Sequence, residues 1–219
     1  MRCWMVSLCF FLLGMPSALS AISKPHVIAF GKWTTVKLFT GPDEDKPLDL
    51  KVRPLYIDGK QREFTFGPPH EITERLFVVR RIIRVNDALS QEATARWSWQ
   101  RGGWLVVDRG NGHISPANLP EYDPENSATS WYRDYVAYFG ISDDGRKLSA
   151  VVRQLGRRKP ILKKSMGGPG AGGEDPEFSV PVWQRQPARV TFVMKDEKYT
   201  YAVRGHIVEV ENNEDDDSE

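Results

Sequence analysis

The 219-residue sequence predicts an all-β fold: antiparallel hairpins forming a sandwich, a barrel or a small propeller-like assembly, with little helix. Three observations predict it. Short runs rich in β-branched and aromatic residues recur along the chain. Turn dipeptides and Gly/Asp/Asn clusters separate them. No apolar pattern of helical period persists long enough for a long helix.

The strands follow in order. Val27 to Phe39 is rich in β-branched and aromatic residues and is interrupted at Gly31-Lys32. Leu50, Val52 and Tyr56 share one face of an extended stretch, Asp58-Gly59 gives a tight turn, and Phe64 and Phe66 lie on the return strand. Pro54 cannot donate a ladder hydrogen bond, so its strand is expected at an edge or with a bulge. Glu71 to Leu89 carries both periods: Ile72, Leu76, Val79 and Ile83 are at helical spacing, and Phe77, Val79, Ile83 and Val85 at strand spacing. Its many β-branched residues favour a strand, with a short helical turn near Asp87 to Glu92.

Trp97 and Trp99 alternate, Gly102-Gly103 reads as a turn, and Trp104 to Val107 reads as the return of a hairpin. Asp108 to Gly112 is a second turn cluster, and residues 115–130 form a long loop rich in Pro, Asn, Ser and Glu. Tyr135 to Ile141, Asp143-Asp144-Gly145 and Leu148 to Val152 make another hairpin, with Lys159 to Lys164 as a third strand. This Tyr135 to Leu162 stretch resembles a single propeller blade in rhythm, a likeness that covers a small part of the chain and names no family. Val190, Phe192 and Met194 alternate into a polar turn, and Tyr199, Tyr201 and Val203 return, with Gly205 expected as a bulge. The count is about eleven or twelve strands.

Residues 1–21 read as a cleavable secretory signal peptide. Arg2 precedes a twelve-residue apolar run, Trp4 to Met15, followed by Pro16, Ser17, Ala18, Leu19, Ser20 and Ala21. A spanning helix needs about 20 apolar residues, so cleavage after Ser20 or Ala21 is expected, with no membrane span afterwards. Cys3 and Cys9 both lie in this segment, so the mature chain forms no disulfide and no thiolate metal site. Residues 22–210 read as a single β-rich domain. Within it, 165–177 is a flexible loop with five glycines and two prolines. The piece after that loop is too short to fold alone and is expected to pair with the main sheet. Residues 211–219 form an acidic tail expected to be disordered.

Arg2 is the only charged residue of the signal, so removing it leaves 29 basic and 29 acidic residues. A neutral mature chain gives no support for a global attraction to nucleic acid or anionic membrane. No Asn-x-Ser/Thr sequon occurs. The expected location is the periplasm or the extracellular medium.

No catalytic, metal or cofactor motif stands out. The four histidines, His26, His70, His113 and His206, form no His-x-x-x-His pair, and no Gly-x-Ser-x-Gly elbow is present. Asp143-Asp144-Gly145 reads as a turn rather than a calcium loop. Two features remain. The first is an aromatic group, Trp97, Trp99, Trp104, Trp131, Tyr132, Tyr135, Tyr138 and Phe139, whose rings suit a β core; Trp131 and Tyr132, which follow a loop, are the surface candidates for stacking on a sugar or a peptide. The second is a basic stretch from Arg146 to Lys164, whose guanidinium groups can hold phosphate or carboxylate, read also as a solvated hairpin edge that the acidic tail could cover.

The expectation is therefore a non-enzymatic exported protein that binds a protein or cell-envelope glycan through Trp131, Tyr132, Arg157 and Arg158. The alternatives are an envelope hydrolase using Asp108, Glu121 or Asp123 as paired carboxylates, and a structural component of an envelope assembly.

Overall fold

The computed structural model describes residues 25–39, 47–91, 94–168, 179–205 and 207–210. They form fifteen strands in three antiparallel sheets and contain no helix. The first sheet comprises β1 (Ile28–Phe30), β2 (Thr34–Leu38), β3 (Leu48–Ile57), β4 (Lys60–Glu71), β5 (Leu76–Asn86), β6 (Trp97–Asp108) and β7 (His113–Pro116). Its order is β1-β3-β4-β5-β6-β7, with β2 beside β3. The second is a meander of β8 (Thr129–Tyr132), β9 (Tyr135–Ile141), β10 (Leu148–Gln154) and β11 (Leu162–Ser165). The third is a meander of β12 (Val182–Gln184), β13 (Arg189–Met194), β14 (Glu197–Arg204) and β15 (Ile207–Val210). None of the three closes into a barrel.

Pro54 explains the broken edge of the first sheet. β2 pairs with residues 48–52 of β3 and β1 with residues 55–57, so Pro54 falls where the edge strand is interrupted. Its carbonyl accepts the Gly31 N–H at 2.8 Å. A side chain at Gly31 would lie 2.5 Å from Pro54 Cγ, so the approach requires glycine. The Asp58-Gly59 turn is as expected: both residues have positive φ, 52° and 74°, as a two-residue hairpin demands.

The Trp97–Val107 segment corrects the sequence expectation. It is one continuous strand, and Gly102-Gly103 is a bulge rather than a turn. Arg80 pairs with Trp104 and Ile82 with Arg101, so the two glycines oppose the single residue Arg81. Gly102 lies against Arg81, where a Cβ would stand 3.2 Å from the Arg81 Cβ.

That bulge exchanges the faces of the sheet. Cross-strand partners share a face, so Phe77, Val79, Leu105 and Val107 point one way with Leu55 and Phe30. Ile82, Phe64, Phe66 and Val52 point the other way with Trp99. Each face thus carries its own apolar cluster. On the first face the sheet curls until the β6–β7 turn meets its far edge, with Gly112 against His26 and Ile57. β5 contributes to both clusters, which is why Val78 and Val79 are both fully buried and why its sequence shows no clean alternation. In place of the helical turn expected at 87–92, the described residues form a loop. Asn86 Oδ1 accepts the Ala88 and Arg96 N–H groups there.

The second and third sheets pack face to face as a sandwich. Ala137, Phe139, Ala150 and Val152 meet Val190, Phe192, Tyr201 and Val203. Phe192 packs edge-on against Phe139 at 5.3 Å and against Tyr201 at 6.0 Å. The piece after the glycine segment therefore joins the fold by covering a face, not by extending the main sheet. Most of that segment lies outside the described residues. The tight turn at Gly205, expected as a bulge, links β14 to β15.

The opposite face of the second sheet carries Val136, Tyr138 and Val151, packed against Leu119, Tyr122 and Trp131. The loop 117–127 is wedged there. Tyr138 Oη donates to the Pro120 carbonyl, Ser127 Oγ to the Phe139 carbonyl, and Arg80 from the first sheet to the Pro124 carbonyl. Burial pushes the Tyr138 phenol well above its ordinary range.

Phe192 fills the middle of the sandwich with no exposed surface. Its replacement by Ala should cost about 3–5 kcal/mol of unfolding free energy. Urea denaturation checks this; a loss under about 1 kcal/mol would show that the two sheets do not share this core.

Candidate functional site

The site grows from the end of β10. Arg153 lies on the face turned toward the first sheet, paired with Val136 and only 8% exposed. Its Nη2 donates to the carbonyl of Arg157, so a buried guanidinium holds the β10–β11 connection in shape. The chain turns at Leu155-Gly156, where Gly156 has φ 80° and the Leu155 N–H donates to the Asp134 carbonyl at 2.8 Å. Arg157 and Arg158 follow, both exposed.

Facing this turn is the far end of the first sheet. Leu76, Val106, Ser115, Pro116, Ala117 and Asn118 form one wall and Arg153, Leu155, Gly156, Arg157 and Arg158 the other, around a cleft of about 500 Å³. A second depression of about 610 Å³ shares Leu76, Leu155 and Gly156 and continues to Ile72, Thr73, Arg133 and Asp134. The two make one elongated groove between the sheets. The first part contains three arginines and no carboxylate.

The rim is held by ion pairs. Arg75 grips Asp108 through two hydrogen bonds, from Nε at 2.6 Å and Nη2 at 2.5 Å. Arg109 grips Glu71 in the same way, at 2.7 and 2.8 Å, and lies over the Phe77 ring at 4.5 Å. The Arg75 hydrogen bonds hold the Asp108 carboxyl down to about 2, aided by the Gly110 N–H, and Arg109 lowers Glu71.

The structure separates the four residues singled out from the sequence. Arg157 and Arg158 line the cleft. Trp131 is half-buried in the seam between the first two sheets, stacked on His70 at 5.8 Å and edge-on to Trp104 at 5.4 Å. Its indole N–H is buried with no acceptor among the described residues. Tyr132 packs on Trp183 at 5.5 Å and donates toward the Arg185 carbonyl, joining the second sheet to the third. Of the other tryptophans, Trp99 packs edge-on to Phe64, whereas Trp97 is exposed beneath Arg84.

Sequence reasoning missed His70, whose Nε2 lies 2.8 Å from the Arg133 carbonyl. It belongs to the irregular stretch of β4 after Gly67-Pro68-Pro69, and no periodic signal marks it. Arg153 was missed as a scaffold residue too; its signal was a charge directly following the apolar run Leu148 to Val152.

The carboxylates considered for hydrolysis are committed to separate partners. Asp108 holds Arg75, Glu121 pairs with Lys163 on β11 at 2.6 Å, and Asp123 accepts from the Glu125 N–H and the Asn126 side chain. Asp144 closes its hairpin turn by accepting from Ser142 Oγ and the Arg146 N–H. Among the described residues no group of three or more His, Cys, Asp or Glu side chains is placed to hold a metal ion. No protein-family model matches the chain, and no curated protein or solved structure matches it either.

The depressed Asp108 carboxyl gives a pH signature. Its ion pair stabilises the fold fully above the ordinary aspartate range, near 4, and that contribution is lost as pH falls through about 2. Carbon-13 NMR titration should place the Asp108 carboxyl near 2, and Arg75→Ala should return it toward the ordinary range. No change in the variant would show that Arg75 is not the cause.

Proposed function

We propose that this chain is an exported, non-catalytic binding protein that engages a protein or cell-envelope glycan through the cleft between its first two sheets. The observation that carries this reading is the pair Arg157 and Arg158. Both are exposed at a concave site beside a buried arginine that shapes their turn, and neither forms an ion pair among the described residues. Five other arginines are each matched to a carboxylate: Arg75, Arg81, Arg101, Arg109 and Arg204.

Guanidinium groups left unmatched in a concave site favour a ligand that brings its own oxygens. Apolar side chains along the same groove add contact area that a fully solvated charge patch lacks. The hydrolase reading has less support, because its carboxylates are each engaged elsewhere. Export rests on the residue order of the N-terminal segment, and sequencing the N-terminus of protein recovered outside the cytoplasm should find Ala21 or Ile22 first. An intact Met1 there would overturn it.

The binding role predicts a separation of effects. Arg157→Ala/Arg158→Ala should reduce crosslinked partner recovered from envelope extracts by at least tenfold while unfolding stability changes by under about 0.5 kcal/mol, as for exposed positions. Trp131→Ala should instead cost about 2–4 kcal/mol of stability through lost inter-sheet packing. Equal partner recovery with the double arginine variant would place the site elsewhere.

A further inference from the structure

We infer that the ligand of this cleft is an acidic peptide segment in extended form, an inference that rests on the cleft being the binding site. Three observations lead there. No aromatic side chain lines the groove. Sugar rings are commonly held on flat aromatic faces, and the two rings best suited to that are used in packing, Trp131 against His70 and Trp104 and Tyr132 against Trp183.

The groove instead combines two chemistries. Arg157 and Arg158 supply forks for carboxylates, while Leu76, Val106, Pro116 and Leu155 supply an aliphatic wall. A peptide offers both kinds of group from one backbone, with acidic and aliphatic side chains on alternate sides of an extended strand. Ser115 and Asn118 add polar groups on the wall opposite the arginines.

The groove is also long. The two connected depressions run from Arg158 past Leu155 to Arg133 and Ile72. That shape accepts a strand of several residues better than a lone anion. The chain itself contains a sequence of the required chemistry: residues 211–219 hold six acidic side chains, and Val210 precedes them.

Fluorescence anisotropy tests the inference. The probes are a labelled peptide of residues 209–219 and a labelled oligogalacturonate of similar charge. The protein is the full chain with the six acidic residues of 211–219 changed to their amides, so that an internal competitor cannot mask binding. The inference expects the peptide to bind at least tenfold more tightly than the uronate. Binding should fall at least tenfold in Arg157→Ala/Arg158→Ala and be partly restored in Arg157→Lys/Arg158→Lys, which keeps charge but loses the fork. It should also weaken from about 0.05 to 0.5 M salt. Uronate binding that equals or exceeds peptide binding, and that depends on both arginines, overturns the peptide assignment and leaves the cleft as the site. Absence of binding by either probe, or peptide binding indifferent to the arginines, overturns both readings.

Discussion

The two central strands of the second sheet, β9 and β10, have water on neither face, and much of the structure follows from that constraint. Along β10 every residue from Leu148 to Arg153 is buried, as is most of β9. A strand dry on both sides cannot show the apolar–polar alternation of a one-faced sheet. It needs a cover on each side, and each cover must satisfy the polar groups it encloses. The third sheet covers one face with side chains alone. The other face is covered by a loop, whose exposed peptide groups must be matched individually. Hence the bonds from Tyr138, Ser127 and Arg80 into residues 117–127 and the Phe139 carbonyl. A charged residue on the buried strand β10 is tolerated where it can donate, as Arg153 does to the Arg157 carbonyl.

The first sheet meets a different demand. It must present one apolar face inward to its own curl and another to its neighbours, and a regular strand cannot do both with a single alternating pattern. The bulge at Gly102-Gly103 resolves this by shifting β6 one residue against β5. Leu105 and Val107 then serve the curled side, while Trp99 serves the opposite cluster with Phe64 and Ile82. The irregularity of β4 before His70 and that of β3 after Leu55 act at the same level.

The sequence was most legible where structure is local. Asp58-Gly59, Asp143-Asp144-Gly145 and the Lys195-Asp196 turn connect strands as their residue types imply, and the all-β class follows from them. Gly102-Gly103 misled because two glycines between tryptophans describe a turn and a bulge equally well. What decides is whether the flanking segments find Ile82 and Arg80 as partners or each other, and that is a non-local matter. Trp131 and Tyr132 show the same limit. Following a loop is a local property, while being covered by His70, Trp104 or Trp183 depends on residues up to about sixty positions away. Arg157 and Arg158 were recognisable as charges, but their concavity comes from Leu76, Val106 and Pro116 across the groove.

The groove exists because the two layers stop fitting each other at their ends. Trp131 fills the seam near the middle, with Trp104 and His70 on the first sheet. At the cleft, the β10–β11 turn and the last residues of β7 line opposite sides, and no aromatic side chain lies between them among the described residues. The two arginines at that turn are not required by the packing. Arg153 is: it is buried, and its loss would free a backbone carbonyl and loosen the turn. Arg157 contributes its carbonyl to that arrangement and leaves its guanidinium outside. Backbone and side chain of one residue thus have separable roles, the first holding the connection while the second is left exposed. Exposed guanidinium groups of this kind cost the fold little and stabilise it little. Their presence beside a concave, partly apolar surface is the feature on which the proposed binding role rests.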